Sequence, residues 1–337
     1  MGVWLLSTGA WAQNWADLPS DNAEFEASKA LCRGAKGAKP PASDKPDAAA
    51  RAALKGCHSE ALYYGIGGPA DPVRARQCAF LELEAEDDNA PFFSGRLMLM
   101  TIYANGVGAK RDLKVALNLA CELGAAAYEY DGRVNHLAEL EAKGWTGTDF
   151  SFCDDITSGL AQGVCSEHDA QLADQARARG LDALQAKWSA ADRKAFLALN
   201  KALEAFVEAR GAQEVDSSGT AGGSFVITER QKQQDDFLAL LQRLEQGQGP
   251  TASAEQLKAA DAELNKVYQN VRKYPHATES WGSVTQAGIQ KTQRVWIKYR
   301  DAWLAFAQVH FPSVSRDALA HELTTRRTAE LQAFLNP

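Results

Sequence analysis

The chain has no apolar run long enough to cross a membrane: nowhere in its 337 residues do about 18 apolar residues follow one another. An excess of basic charge is missing too. With 36 Lys and Arg against 43 Asp and Glu, the formal charge is -7, which argues against a general nucleic-acid binder. Catalytic signatures are scarce. None of the six histidines stands in an H-E-x-x-H motif, no cysteines are spaced C-x-x-C, and no G-x-S-x-G elbow occurs. Gly106-x-Gly108 with Lys110 is not a phosphate loop, because neither a preceding strand nor a GK[ST] ending accompanies it. No cysteine follows Cys165.

What is present begins with a short apolar start, Val3–Leu6, and Ala10-Trp11-Ala12 before Gln13, the pattern of an export-signal cleavage site. No Lys or Arg precedes it, so residues 1–12 read as a truncated signal peptide. No lipid-attachment cysteine stands beside Ala12, so the expected location is free in the periplasm or outside the cell. Six cysteines, Cys32, Cys57, Cys78, Cys121, Cys153 and Cys165, all fall in the first half. An even number in an exported chain suggests disulfides. Cys153–Cys165 is the easiest local pair, and Cys32–Cys57 with Cys78–Cys121 completes the expected set. In a cytoplasmic chain several would instead be buried thiols.

Charge is uneven. Residues 251–337 are net +3, whereas an acidic run gathers Glu82, Glu84, Glu86, Asp87 and Asp88. A solvated helix face is the plain reading of that run; a docking surface for a basic partner is the sharper one.

Two glycine interruptions in the first half look alike. Tyr64-Gly65-Ile66-Gly67-Gly68 precedes Asp71 and Ala75; Tyr103-Ala104-Asn105-Gly106-Val107-Gly108 precedes Asp112 and Ala116. Glycine ends one helix, aspartate caps the next, and alanine lets the two approach. Aligned on Tyr64 and Tyr103, the spacing is 39 residues, within the range of helical-hairpin solenoids. These segments resemble Sel1-like repeats, which implies a tetratricopeptide-like interaction scaffold over 13–145.

Residues 146–247 read as a Cys153–Cys165 loop element followed by two long helices around a Gly/Ser turn. Phe196, Leu199, Leu203, Phe206 and Val207 form a stripe on the first, and Phe237, Leu240, Leu241 and Leu244 on the second. Gln246–Pro250 reads as a linker. Three further helical patterns fill 252–336. Here Asp261-Ala262-Glu263-Leu264-Asn265-Lys266-Val267-Tyr268, Gln293 to Trp303, and Leu323 through Arg327 to Glu330-Leu331 resemble the LprI-type lysozyme-inhibitor domain. Cysteines often found near the second and third motifs of that family are missing here. The resemblance singles out Asp261, Leu264, Asn265, Tyr268, Gln293, Trp296, Tyr299, Arg300, Trp303, Arg327, Glu330 and Leu331.

The expected fold is therefore all-α: short hairpin repeats, a long antiparallel hairpin and a three-helix carboxy-terminal domain. Trp296, Tyr299 and Trp303 share one helical face and read as core; Arg294, Lys298 and Asp301 lie elsewhere on it, and Asp261 could pair with Arg300 across helices. Zinc at Cys153, Cys165 and His168 with Cys57-His58 is the weaker alternative to disulfides. Asp154-Asp155 is the nominee for a carboxylate pair and Ser217-Ser218 for a nucleophile, yet neither has the partners such chemistry needs. No catalytic, cofactor or metal role is therefore assigned to any residue. The resemblance implies an envelope binding protein that inhibits lysozyme or another cell-wall hydrolase by occlusion, and the acidic run around Glu82–Asp88 could steer a cationic one. The alternatives are an immunity protein against a secreted toxin, an envelope adaptor and, last, an enzyme.

Overall fold

A computed structural model describes residues 14–20, 22–85 and 92–336. The expected signal segment and Glu86, Asp87 and Asp88 lie outside them. All regular structure among the described residues is helical. The chain forms two compact units, 1–165 and 166–337, and the division falls within one long helix.

The first unit contains α1 (Glu26–Ala35), α2 (Ala48–Ala53), α3 (Ser59–Tyr64), α4 (Pro72–Ala85), α5 (Gly95–Asn105), α6 (Leu113–Cys121), α7 (Ala127–Ala142) and the start of α8 (Gly159–Gln185). Helix α1 begins at Glu26. Ahead of it lie two 3-10 turns, which bury Trp15 in a stack on Tyr130, with ring centroids 4.9 Å apart.

Two hairpins, α3–α4 and α5–α6, are built alike. Gly65 and Gly106 end their helices in the left-handed region, with φ of 74° and 65°. The N–H of Asp71 donates to the Leu62 carbonyl (2.7 Å), and that of Asp112 to the Tyr103 carbonyl (3.0 Å). Each aspartate caps the following helix, and Ala75 and Ala116 are fully buried at the crossings. Glycines, aspartates and alanines all recur at 41 residues. The spacing of 39 read from the tyrosines therefore needs correcting: Leu62, not Tyr64, occupies the place of Tyr103.

Three disulfides lie in this unit. Cys153–Cys165 joins as expected, but the other pairs are Cys32–Cys121 and Cys57–Cys78. The reason is packing. Helix α1 lies against α6 and α7, which brings Cys32 to Cys121; α3 folds back on α4, which brings Cys57, two residues ahead of α3, to Cys78. With these cysteines oxidised, they offer no thiolates to the zinc alternative. No group of three or more metal-ligating side chains occurs among the described residues.

The second unit holds the rest of α8, then α9 (Ala190–Glu214), α10 (Gly222–Glu245), α11 (Ala254–Arg272), α12 (Ala277–Ser280), α13 (Gln286–His310) and α14 (Arg316–Gln332). Local chemistry sets these ends. Ser189 and Asp192 form a capping box on α9, Ser253 and Gln256 another on α11, and Thr285 and Ser315 cap α13 and α14. Pro312 follows α13 and prevents its continuation. Helix α13 packs chiefly on α9, and α11 on α14. Gln246–Pro250 is a turn inside this unit, because helices on both sides of it contribute to one core running from Trp188 to Leu331.

Candidate functional site

The motif residues of 252–336 divide into three groups. The first is apolar. Trp296, Tyr299 and Trp303 lie on the buried face of α13, where Tyr299 stacks on Phe206 (5.1 Å) and Trp303 meets Phe237 (5.0 Å). Leu264 and Leu331 join the same core.

The second group is a buried polar network. The Arg327 guanidinium donates from Nη1 and Nη2 to the Glu214 carboxylate (2.8 and 2.5 Å), from Nε to Gln293 (2.9 Å), and from Nη1 to Glu330 (3.0 Å). Arg210 donates to Glu214 (2.9 Å), to Glu330 (3.2 Å) and to Glu229. Gln233 bridges Glu229 and Glu330. Burial pushes the Glu330 carboxyl up, but Arg210 and Arg327 outweigh it and hold it below the usual carboxylate range. Arg327 itself is held above its usual value, because Glu214 overcomes the cost of burial. Arg210, Glu214, Glu229 and Gln233 were not singled out in the sequence. Their only trace there is the i,i+4 spacing of Arg210 with Glu214 and Glu229 with Gln233.

The third group lies at the surface. Asp261 and Arg300 pair at 3.8 Å, Asp261 also accepts from Thr324 (3.3 Å), and Arg300 lies 5.2 Å from the Trp296 ring. Asn265 is exposed and Tyr268 half-buried, the latter 5.9 Å from the Arg272 guanidinium. Arg294, Lys298 and Asp301 are exposed, and Asp301 contacts Arg300 at 3.2 Å. Between α11 and α14 runs an open groove of about 530 Å³, lined mainly by small and neutral groups such as Ala259, Ala260, Thr325 and Thr328, with Glu263 and His321 at its sides.

The other nominees are occupied elsewhere. Asp154 accepts from the Ser151 N–H (2.9 Å), while Asp155 meets His136 Nδ1 (2.9 Å), so the two carboxylates serve separate local contacts. Ser217 meets Ser283 (3.2 Å), with Asp216 rather than a histidine beside it. Within the acidic run, Glu82 accepts from the N–H groups of Ser59 (2.9 Å) and Gly95 (2.8 Å), and Glu84 pairs with Arg51 (2.6 Å). The described part of that run is therefore engaged within its own unit.

Residues 242–331 match the family described as lysozyme inhibitor LprI. An uncharacterized protein of Rhizobium meliloti (strain 1021) is 37% identical over 91 residues, a match covering 23% of this chain and 65% of that relative, just under two thirds of its length. No solved structure matches. The similarity to LprI lysozyme inhibitors thus covers the last turn of α10 through most of α14, the stretch whose motif residues close the core and polar network of the second unit.

Proposed function

We propose that this chain is a periplasmic or secreted binding protein that inhibits lysozyme or another cell-wall hydrolase by covering its cleft. The observation that carries this reading is the coincidence of the LprI match with a folded, capped set of helices over 242–331. Three disulfides accord with folding in an oxidising compartment. Inhibition of this kind needs surface complementarity and no covalent step. The test is a cell-wall clearing assay in which the purified, oxidised chain is titrated against c-type, g-type and i-type lysozymes. Dose-dependent loss of clearing with at least one is expected; full activity of all three at micromolar inhibitor would reject the reading.

The paired α3–α4 and α5–α6 hairpins favour a second reading for the first unit: a Sel1-like scaffold holding another envelope protein or a secreted toxin, as an adaptor or immunity protein would. Cross-linking of residues 13–165 in the full chain to one envelope or secreted protein would support it. Cross-links confined to 166–337 would count against it.

A further inference from the structure

The motif residues of the second unit mostly build its interior, so an inhibitory surface must come from what they leave outside. Helix α13 buries Trp296, Tyr299 and Trp303 on one face. Its opposite side carries Lys291, Arg294 and Lys298, all exposed. Their i, i+3, i+7 spacing places them on one stripe about 10 Å long. No carboxylate among the described residues pairs with any of the three, and the nearest acid further along the helix, Asp301, is taken by Arg300. Ile297, 41% exposed, adds an apolar contact at the stripe's edge.

The chemistry of the intended target supplies the complement. Most glycoside hydrolases carry two carboxyl groups that flank the scissile bond, roughly 5–9.5 Å apart. A rigid helix presenting cations over a similar length can meet both carboxylates and exclude the sugar. We propose that the Lys291–Arg294–Lys298 side of α13 is the inhibitory surface, seated over the catalytic carboxylates of a cell-wall glycoside hydrolase. This rests on the inhibitor reading above.

The test uses the full oxidised chain and a c-type lysozyme, with g-type and i-type enzymes run in parallel. Lys291→Glu/Arg294→Glu/Lys298→Glu should weaken inhibition about a hundredfold or more, while the control Lys258→Glu/Arg316→Glu stays within about threefold. Circular dichroism and the melting curve should match the parent, and the milder Lys→Gln and Arg→Gln set at the same positions should fall between. A lysozyme whose two catalytic carboxylates are replaced by amides should bind the parent at least about tenfold more weakly, a result that needs no change in this chain. If the parent inhibits and the triple variant inhibits equally, the surface is wrong and the inhibitor reading stands. If the parent inhibits none of the three enzymes, both fall. Stripe-dependent binding to phosphatidylglycerol vesicles with no effect on any lysozyme would also overturn the proposal.

Discussion

Arg327 and Glu214 form a two-point ion pair in which neither side chain is exposed, joining the last long helix to the first helix of the long hairpin. Removing Arg327 leaves the buried Glu214 carboxylate with Arg210 as its one cationic partner among the described residues. Arg327→Ala should therefore cost about 3–5 kcal/mol, and Arg327→Met/Glu214→Leu should recover a substantial part of it. Urea melts of the two variants would decide. Equal losses in both would mean that side-chain volume, and not charge, matters at this site.

The same network gives a pH dependence. Glu330 has a folded-state value below its unfolded one. Its contribution is complete above the unfolded value, near 4.5, and is lost as pH falls through the lower folded value. Glu330→Gln should thus destabilise at neutral pH, with the gap to the parent closing as pH drops below about 4. Chemical melts of both proteins across that range check the sign. A gap that widens toward acid would contradict it.

The two sides of α13 should respond oppositely to truncation. Trp303→Ala should cost about 3–5 kcal/mol, because it opens a cavity beside Phe237 and Phe306. Arg294→Ala and Lys298→Ala, on the solvent side, should each stay within about 0.5 kcal/mol. These melts need the full chain. A fragment beginning at 251 would lack Phe206 and Phe237, against which Tyr299 and Trp303 pack.

Periodicity made much of this unit legible in advance. Phe196, Leu199, Leu203 and Phe206 recur at helical spacing and are buried, as are Trp296, Tyr299 and Trp303. Glu214 was not legible. A carboxylate ending a long helix looks solvated until an arginine more than a hundred residues away closes over it. Disulfide partners were hidden for the same reason: Cys32 meets Cys121 only because α1 crosses α6, a tertiary fact with no local trace. The tyrosines fall two residues off the true hairpin repeat, because the geometry is set by a left-handed glycine and an aspartate cap.

The disulfides give a quantitative ordering. Cys32–Cys121 has a sequence separation of 89 and Cys153–Cys165 one of 12. Loop-closure entropy then predicts that removing the first bridge costs about 4.5 kcal/mol and the second about 3 kcal/mol. Paired Cys→Ser variants with thermal melts would measure both. Alkylation without reductant should label at most one cysteine, and non-reducing peptide mapping should recover Cys57 joined to Cys78.

Two glycines with similar torsion angles should differ in tolerance. Gly67 and Gly108 both have positive φ, 74° and 90°. A Cβ on Gly67 meets nothing within 4 Å, whereas one on Gly108 would overlap the Pro72 carbonyl between neighbouring hairpins. Gly67→Ala should therefore cost about 1 kcal/mol and Gly108→Ala clearly more. Comparable melting temperatures for the two would show that the contact between hairpins yields easily.

The position of α14 in the chain bears on how the second unit comes into being during translation. Leu319, Leu323, Leu331 and Arg327 all belong to that helix, and α11 has it as chief neighbour. While the ribosome is still adding these residues, α11 lacks its chief neighbour, and Glu214 has Arg210 but not Arg327 beside it. Until α14 emerges, the second unit should therefore keep apolar surface accessible to chaperones. A stalled or prematurely stopped message should for that reason yield aggregation-prone or protease-sensitive chains rather than a smaller working protein.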